Sequence, residues 1–155
     1  MKETKKPENY LTPIAEGTVL DHLPTGTALK ILKLLNLELH DDAITIGMNV
    51  PSQKMNRKDL VFIEGKKLNE KEIEKIGLIA KNSTMNLIEK SKVVKKQVIE
   101  LPEKASGTIK CFNPNCITNA EELETKFSID RKKMIAKCRY CEKEMNAREI
   151  SQNIK

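Results

Sequence analysis

The 155-residue chain contains no tryptophan and only five other aromatic residues, Tyr10, Phe62, Phe112, Phe127 and Tyr140, scattered along its length. Proteins that grip single-stranded nucleic acid need stacking platforms as well as cationic grooves, so this scarcity counts against such a role. The basic excess is modest and interspersed, 28 Lys and Arg against 22 Asp and Glu for a net charge of +6, which is weak evidence for a polyanion partner. No apolar run approaches the ~20 residues a membrane helix takes, so no membrane partner is expected. Lys, Glu and Thr follow Met1 where an export signal would be apolar. A cytoplasmic location and a reducing environment are therefore expected. The sequence also lacks a glycine-rich phosphate loop, an H-E-x-x-H helix and any serine or cysteine in a nucleophile signature. Adjacent acids such as Asp41-Asp42 and Glu121-Glu122 read as solvated surface. Catalysis is not expected of this chain.

Cysteine is absent from the first 110 residues and then occurs four times, at Cys111, Cys116, Cys138 and Cys141. These form a C-x4-C pair and a C-x2-C pair, spacings that suit the four thiolate corners of a structural Zn2+ site with no open position for water. Two disulfides or four unrelated buried thiols are the competing readings. A reducing compartment argues against the first, and tight pairing against the second.

Two domains are expected. Polar residues 1–13, carrying Pro7 and Pro13, read as a flexible arm. Residues 14–101 then show a strand at 18–23, a helix over TALKILKLLNL ending near Asn36, and strands at 43–50 and 59–64, with Pro51 ending the first of these. A helix is expected after Asn69, with Glu72 as its capping-box partner. Strands follow at 84–89 and 93–99, turning at Lys90-Ser91. This order implies an α+β fold, a mostly antiparallel sheet covered by two helices. Leu101–Gly107 breaks the pattern and reads as a boundary and hinge. Residues 102–155 read as a small all-β zinc domain, with strands at 108–111, 126–130, 134–138 and 143–147. That piece has few large apolar residues, so metal binding, ~10–16 kcal/mol in comparable peptides, would supply its folding energy.

On residue chemistry alone Asp21-His22 is a hydrogen-bonded turn at a strand end. His40, in the polar loop Leu39-His40-Asp41-Asp42, has no partner in view. Lys90, Lys92, Lys95 and Lys96 are a solvated basic run as readily as a ligand site. Composition and spacing stop at a two-domain zinc protein, with a zinc-ribbon nucleic-acid or transcription adaptor as one open reading.

The strings GTVLDHLPTGTALKILKLL (17–35), ITIGMNVPSQKMNRKDL (44–60), CFNPNCITNAE and CRYCEKE closely resemble the regulatory chain of aspartate carbamoyltransferase, over residues 14 to about 150. The resemblance implies a non-catalytic subunit in pyrimidine biosynthesis. Its amino-terminal domain would bind CTP as inhibitor and ATP as activator, with UTP assisting CTP in some members. Its zinc domain, with one structural Zn2+ per chain, would dock on a separate catalytic chain. Regulatory chains would pair, and three pairs would bridge two catalytic trimers into a dodecamer of six catalytic and six regulatory chains.

The resemblance assigns Asp21 and His22 to the ribose and triphosphate end of the nucleotide pocket and Lys96 to ribose and phosphate. Val19, Asn86, Ile88 and Val93 fall on pocket-lining strand positions. Ile14 falls in the segment whose backbone reads the base. Two positions depart from the pattern: Phe62 stands where close relatives carry a lysine, and Ser91 where they carry a tyrosine. Nucleotide discrimination is expected to differ accordingly.

Overall fold

A computed structural model describes residues 14–155; the arm expected over 1–13 lies outside the described residues. The elements follow in the order β1 (Gly17–Leu23), α1 (Ala28–Leu34), β2 (Ile44–Ser52), β3 (Asn56–Glu64), α2 (Glu70–Ile79), β4 (Thr84–Glu89), β5 (Lys92–Val98), β6 (Lys104–Ser106), α3 (Ile117–Ala120), β7 (Lys126–Asp130), β8 (Ile135–Cys138), β9 (Glu144–Met145) and α4 (Ala147–Gln152). The class is α+β. Two compact units result, one comprising the described residues up to Asn69 with Asn82–Ile99, the other Glu70–Lys81 with Glu100–Lys155.

The first unit is a five-stranded antiparallel sheet in the order β2-β3-β1-β4-β5. Alternation gives it two different faces. Leu20, Val61 and Ile63 are fully buried on one, and α1 packs on that part of the sheet with Ala28 and Ile31 inward. Helix α1 ends at Leu34, and the left-handed backbone of Asn36 (φ 52°) separates it from a short 3-10 turn at Leu37–Leu39. An asparagine tolerates that conformation better than most residues. Val19, Phe62, Asn86 and Ile88 lie on the opposite face. Pro51, expected to end its strand, lies inside β2. Because β2 is an edge strand, the missing proline N–H leaves no ladder bond unmade. His40 also differs from expectation, since Nε2 bonds the Glu64 carbonyl.

Three irregular backbone features of this unit converge on the fully buried Asp59. Its Oδ2 accepts the N–H groups of Gly26 (2.9 Å) and Ala28 (3.1 Å) at the start of α1. Its Oδ1 accepts the N–H of Asn49 (2.9 Å), where the β2–β3 register slips. The β1–β3 register slips between Leu20 and Leu23, and Leu23 faces Asp59. A buried carboxylate is costly unless hydrogen bonds replace its water, and here three backbone donors do so.

The second unit holds a four-stranded antiparallel sheet, β6-β7-β8-β9. Its core contains Ile109, Phe127, Ile129, Ala136, Met145 and Ile150 together with Cys111, Cys116 and Cys138. Helix α2 belongs here by its contacts, and Leu78 joins this core. Gly77 lets α2 approach closely, since a Cβ there would stand 2.4 Å from the Glu100 carbonyl. The segment read as a hinge is built into the unit. Leu101 and Ala105 are buried, β6 pairs with β7, and Arg131 Nε donates to the Leu101 carbonyl at 2.7 Å. Residues 108–111 form no strand, only a bridge between Ile109 and Ile154. The short helices α3 and α4 add to the all-β expectation. α4 carries a full capping box between Asn146 and Glu149, a local signal available in the sequence.

Replacing Asp59 by Ala should cost about 3 kcal/mol, because three backbone N–H groups, that of Ala28 buried, lose their acceptor and a cavity opens at a fully buried position. Chemical denaturation followed by circular dichroism would read this, and Asp59→Asn should recover part of it.

Candidate metal centre and binding cavity

The four cysteines converge. Their sulfurs all lie within 4.8 Å of one another, with Cys111 Sγ 3.6 Å from Cys141 Sγ and Cys116 Sγ 3.8 Å from Cys138 Sγ. A disulfide needs ~2.05 Å, so these are not disulfides. A tetrahedron with metal–sulfur arms of ~2.3 Å has edges of ~3.8 Å, so the spacing fits one metal ion held by four thiolates.

Two backbone knuckles build the site. In the first, the Cys116 N–H donates to the Asn113 carbonyl at 3.0 Å, and Asn119 Nδ2 donates to the carbonyls of Cys111 (2.9 Å) and Asn113 (2.7 Å). Cys116 also sets the start of α3, with its sulfur 3.1 Å from Thr118 Oγ1. In the second, Cys138 ends β8 and its N–H donates to the Lys143 carbonyl at 3.0 Å, with Glu142 in the left-handed region (φ 63°) closing the turn. Burial pushes the Cys111 thiol up to about 12, although the Asn113 N–H pulls the other way. Burial likewise raises Cys138. For Cys141 burial is outweighed by bonds from the Lys143 N–H, Asn113 and the neighbouring thiols, which bring it down to about 7. A cation is what allows all four to be thiolates at once. Asn113, Asn119 and Thr118 escaped the sequence reading; the density of Asn in CFNPNCITNA was the available signal.

In the first unit, all eight residues assigned by resemblance line one cavity of about 350 Å3: Ile14, Val19, Asp21, His22, Asn86, Ile88, Val93 and Lys96. Leu60, Phe62 and Ser91 complete it. Sheet register explains the assembly. Phe62, Val19, Asn86 and Lys96 form a row across β3, β1, β4 and β5. Ile88 and Val93 pair one step toward the β4–β5 turn, and Asp21 pairs with Thr84 one step the other way. Neighbours such as Asp21 and His22 would point to opposite faces of a regular strand. The bulge in β1, with His22 at φ 56°, lets both line the cavity. A second register shift, between Leu87 and Ile88 on β4, similarly allows Val93 and Lys96 to share it.

The cavity is polarised. At one end Asp21 Oδ1 holds the buried Lys58 ammonium at 2.8 Å, and His22 Nδ1 lies 2.9 Å from Thr84 Oγ1. Burial lowers the His22 pKa; Asp21 opposes this, while Lys58, Lys54 and Lys96 reinforce it. At the other end Ile14, Val19 and Ile88 form an apolar cluster with Phe62 packed against it. Lys58, inside the quoted R-K-D-L motif, was not singled out from sequence, because nothing local marks a lysine as buried.

The described residues contain no helix long and apolar enough to cross a membrane. Two family models match: residues 10–100 match the aspartate carbamoyltransferase regulatory chain, allosteric domain, and residues 103–151 the same chain's metal binding domain. The chain belongs to the aspartate carbamoyltransferase regulatory chain family. The regulatory chain of Thermococcus sibiricus is 47% identical over 155 residues, covering 99% of both chains. That of Pyrococcus horikoshii is 45% identical over 151 residues, covering 96% of this chain and 99% of its own. One from Methanococcus maripaludis strain C5 is 46% identical over 147 residues, covering 94% and 99%. As a member of this family the chain is a regulatory, non-catalytic subunit, and a regulatory chain implies a catalytic chain as partner. This replaces the zinc-ribbon adaptor left open by composition and spacing.

Chelating the metal, or replacing Cys138 by Ala, should unfold β7–β9 while the first unit keeps its sheet. Amide hydrogen exchange would separate the two, with protection lost in residues 126–145 and retained in 17–23 and 84–89.

Proposed function

We propose that this chain is the effector-binding and assembly subunit of its enzyme, with residues 14–101 receiving nucleoside triphosphates and residues 102–155 gripping the catalytic chain. CTP and ATP are the effectors, with UTP acting beside CTP. The metal is Zn2+, one per chain, because four thiolates in a closed tetrahedron are its preferred structural shell. When bound, the ion supplies folding energy to the second unit and no chemistry on a substrate. Regulatory chains pair, and three pairs join two catalytic trimers in the cytoplasm, serving pyrimidine biosynthesis.

The observation that carries this reading is the polarised cavity. A triphosphate brings up to four negative charges that need cations or N–H donors, while its base needs an apolar slot. Lys96 and His22, backed by Lys58 and Lys54, provide the first; Ile14, Val19, Ile88 and Phe62 provide the second. An effector bound there acts on the catalytic chains only through its difference in affinity between quaternary states, typically ~1–3 kcal/mol.

The direct test mixes the metal-loaded chain with catalytic trimers and follows activity against aspartate with and without CTP or ATP. A larger complex whose aspartate response moves with nucleotide is expected; no assembly would refute the role, and assembly without a nucleotide response would leave only the structural part.

A pH dependence follows from His22. Burial lowers its pKa, so the ring is neutral at pH 7. An arriving polyanion favours the protonated ring, so binding takes up a proton and tightens as pH falls toward and below the ordinary histidine value of ~6.5. The ligand's own last phosphate proton, titrating near pH ~6, works the other way. Subtracting the profile of His22→Gln, measured by calorimetry between pH 8 and pH 6, should therefore isolate a contribution that strengthens on acidification.

A further inference from the structure

Resting on the reading of the cysteine cluster as a four-thiolate metal centre, we propose that Thr118 is a positioning residue for the metal. Its hydroxyl donates to the Cys116 thiolate, in place of the backbone N–H that serves each of the other three cysteines.

Four thiolates around one divalent cation make a dianion, which is costly to bury unless hydrogen bonds spread its charge. Cys111, Cys116 and Cys138 are buried almost completely. At three corners the donor follows one pattern, a backbone N–H two residues along the chain from the sulfur it reaches. The Asn113 N–H bonds Cys111, the Tyr140 N–H bonds Cys138 and the Lys143 N–H bonds Cys141. The Cys141 N–H adds a second bond to Cys138, and the Asn113 side chain a second to Cys141.

Cys116 departs from this pattern. It is the N-cap residue of α3, and its side chain takes no N–H from the first turn. The Asn119 and Ala120 N–H groups close instead on the Cys116 carbonyl, at 2.9 Å and 3.3 Å. The residue two positions along is again at the sulfur, but through its side chain: Thr118 Oγ1 lies 3.1 Å from Cys116 Sγ. Either atom can supply the proton while Cys116 is a thiol. Once the metal has displaced the thiol proton, the sulfur can only accept and the hydroxyl donates. Cys116 is 1% exposed and Thr118 is buried, so water does not replace the hydroxyl. Losing a bond of this kind to a metal ligand typically lowers metal affinity by ~10–100-fold.

The test deletes the hydroxyl at two side-chain sizes in the full chain, Thr118→Val against the wild type and Thr118→Ala against Thr118→Ser. Zn2+ affinity is read by competition with a chromophoric chelator, and the thiolate-to-metal charge-transfer band is read on the Co2+-loaded chain. Each deletion should weaken Zn2+ binding by about tenfold or more. Each should also move the band to longer wavelength, because a thiolate without its hydrogen bond gives up electron density at lower energy. Thr118→Ser should match the wild type in both. A role in packing alone would leave the band where it is. Unchanged affinity, a band that does not move, or Thr118→Ser behaving like Thr118→Ala would each overturn the proposal. The serine and alanine pair decides if Thr118→Val does not fold. A wild-type chain that gives no four-thiolate Co2+ spectrum would instead overturn the reading of the metal centre, and this proposal with it.

Discussion

Four sulfurs held within 4.8 Å of one another are the constraint on which the second unit depends. Cys111, Cys116 and Cys138 are at once members of its apolar core and three corners of the metal site. The rest of that core is small: one phenylalanine, a few branched side chains, two alanines and a methionine. Burial pushes the Cys111 thiol up to about 12 and raises Cys138, whereas Cys141 is brought down to about 7, so without a cation the cluster could not hold four thiolates and would contribute little cohesive energy. With one, the two knuckles are cross-linked, and β8 is tied to the loop before α3. Folding and metal binding are then one equilibrium.

The first unit solves a different problem, that of placing charge on one face of a sheet. A regular strand would send Asp21 and His22 to opposite sides. The β1 bulge removes that restriction at the cost of a left-handed backbone at His22. Asp59 supports the arrangement by collecting three N–H groups from the start of α1 and the β2 irregularity. Its neighbour Lys58 reaches Asp21. Adjacent residues of β3 thus serve opposite faces, one stabilising the scaffold and the other biasing the charge of the cavity.

The same sheet explains why the cavity has two characters. Its rows are set by hydrogen-bond register, so the change from Asp21 and His22 at one end to Ile88 and Val93 at the other follows the strand direction. Phe62 stands between these regions, in a row that ends at Lys96. The effector proposed for this cavity, a long anion with an apolar head, matches that change of character along the strands.

Sequence alone carried the alternating strands β1, β3, β4 and β7, the helices α1 and α2, and the turn at Lys90-Ser91. Their signals lie in hydrophobic period, capping residues and turn residues within a few positions of one another. It also carried the four ligands of the metal centre, because cysteine pairs at ligand spacing are rare without a shared cation, and by resemblance the eight cavity residues. Tertiary structure decided what no local pattern encodes. Pro51 could stay in a strand because β2 is an edge; Leu101–Gly107 became core and strand because β7 was there to pair with it; α2 joined the second unit through Leu78 and Gly77. The burial of Lys58 and Asp59, and the bulges that bring Asp21, His22, Val93 and Lys96 to one face, arise from pairing between strands distant in the chain. Such pairings depend on which partner is available across the sheet, which local sequence does not record.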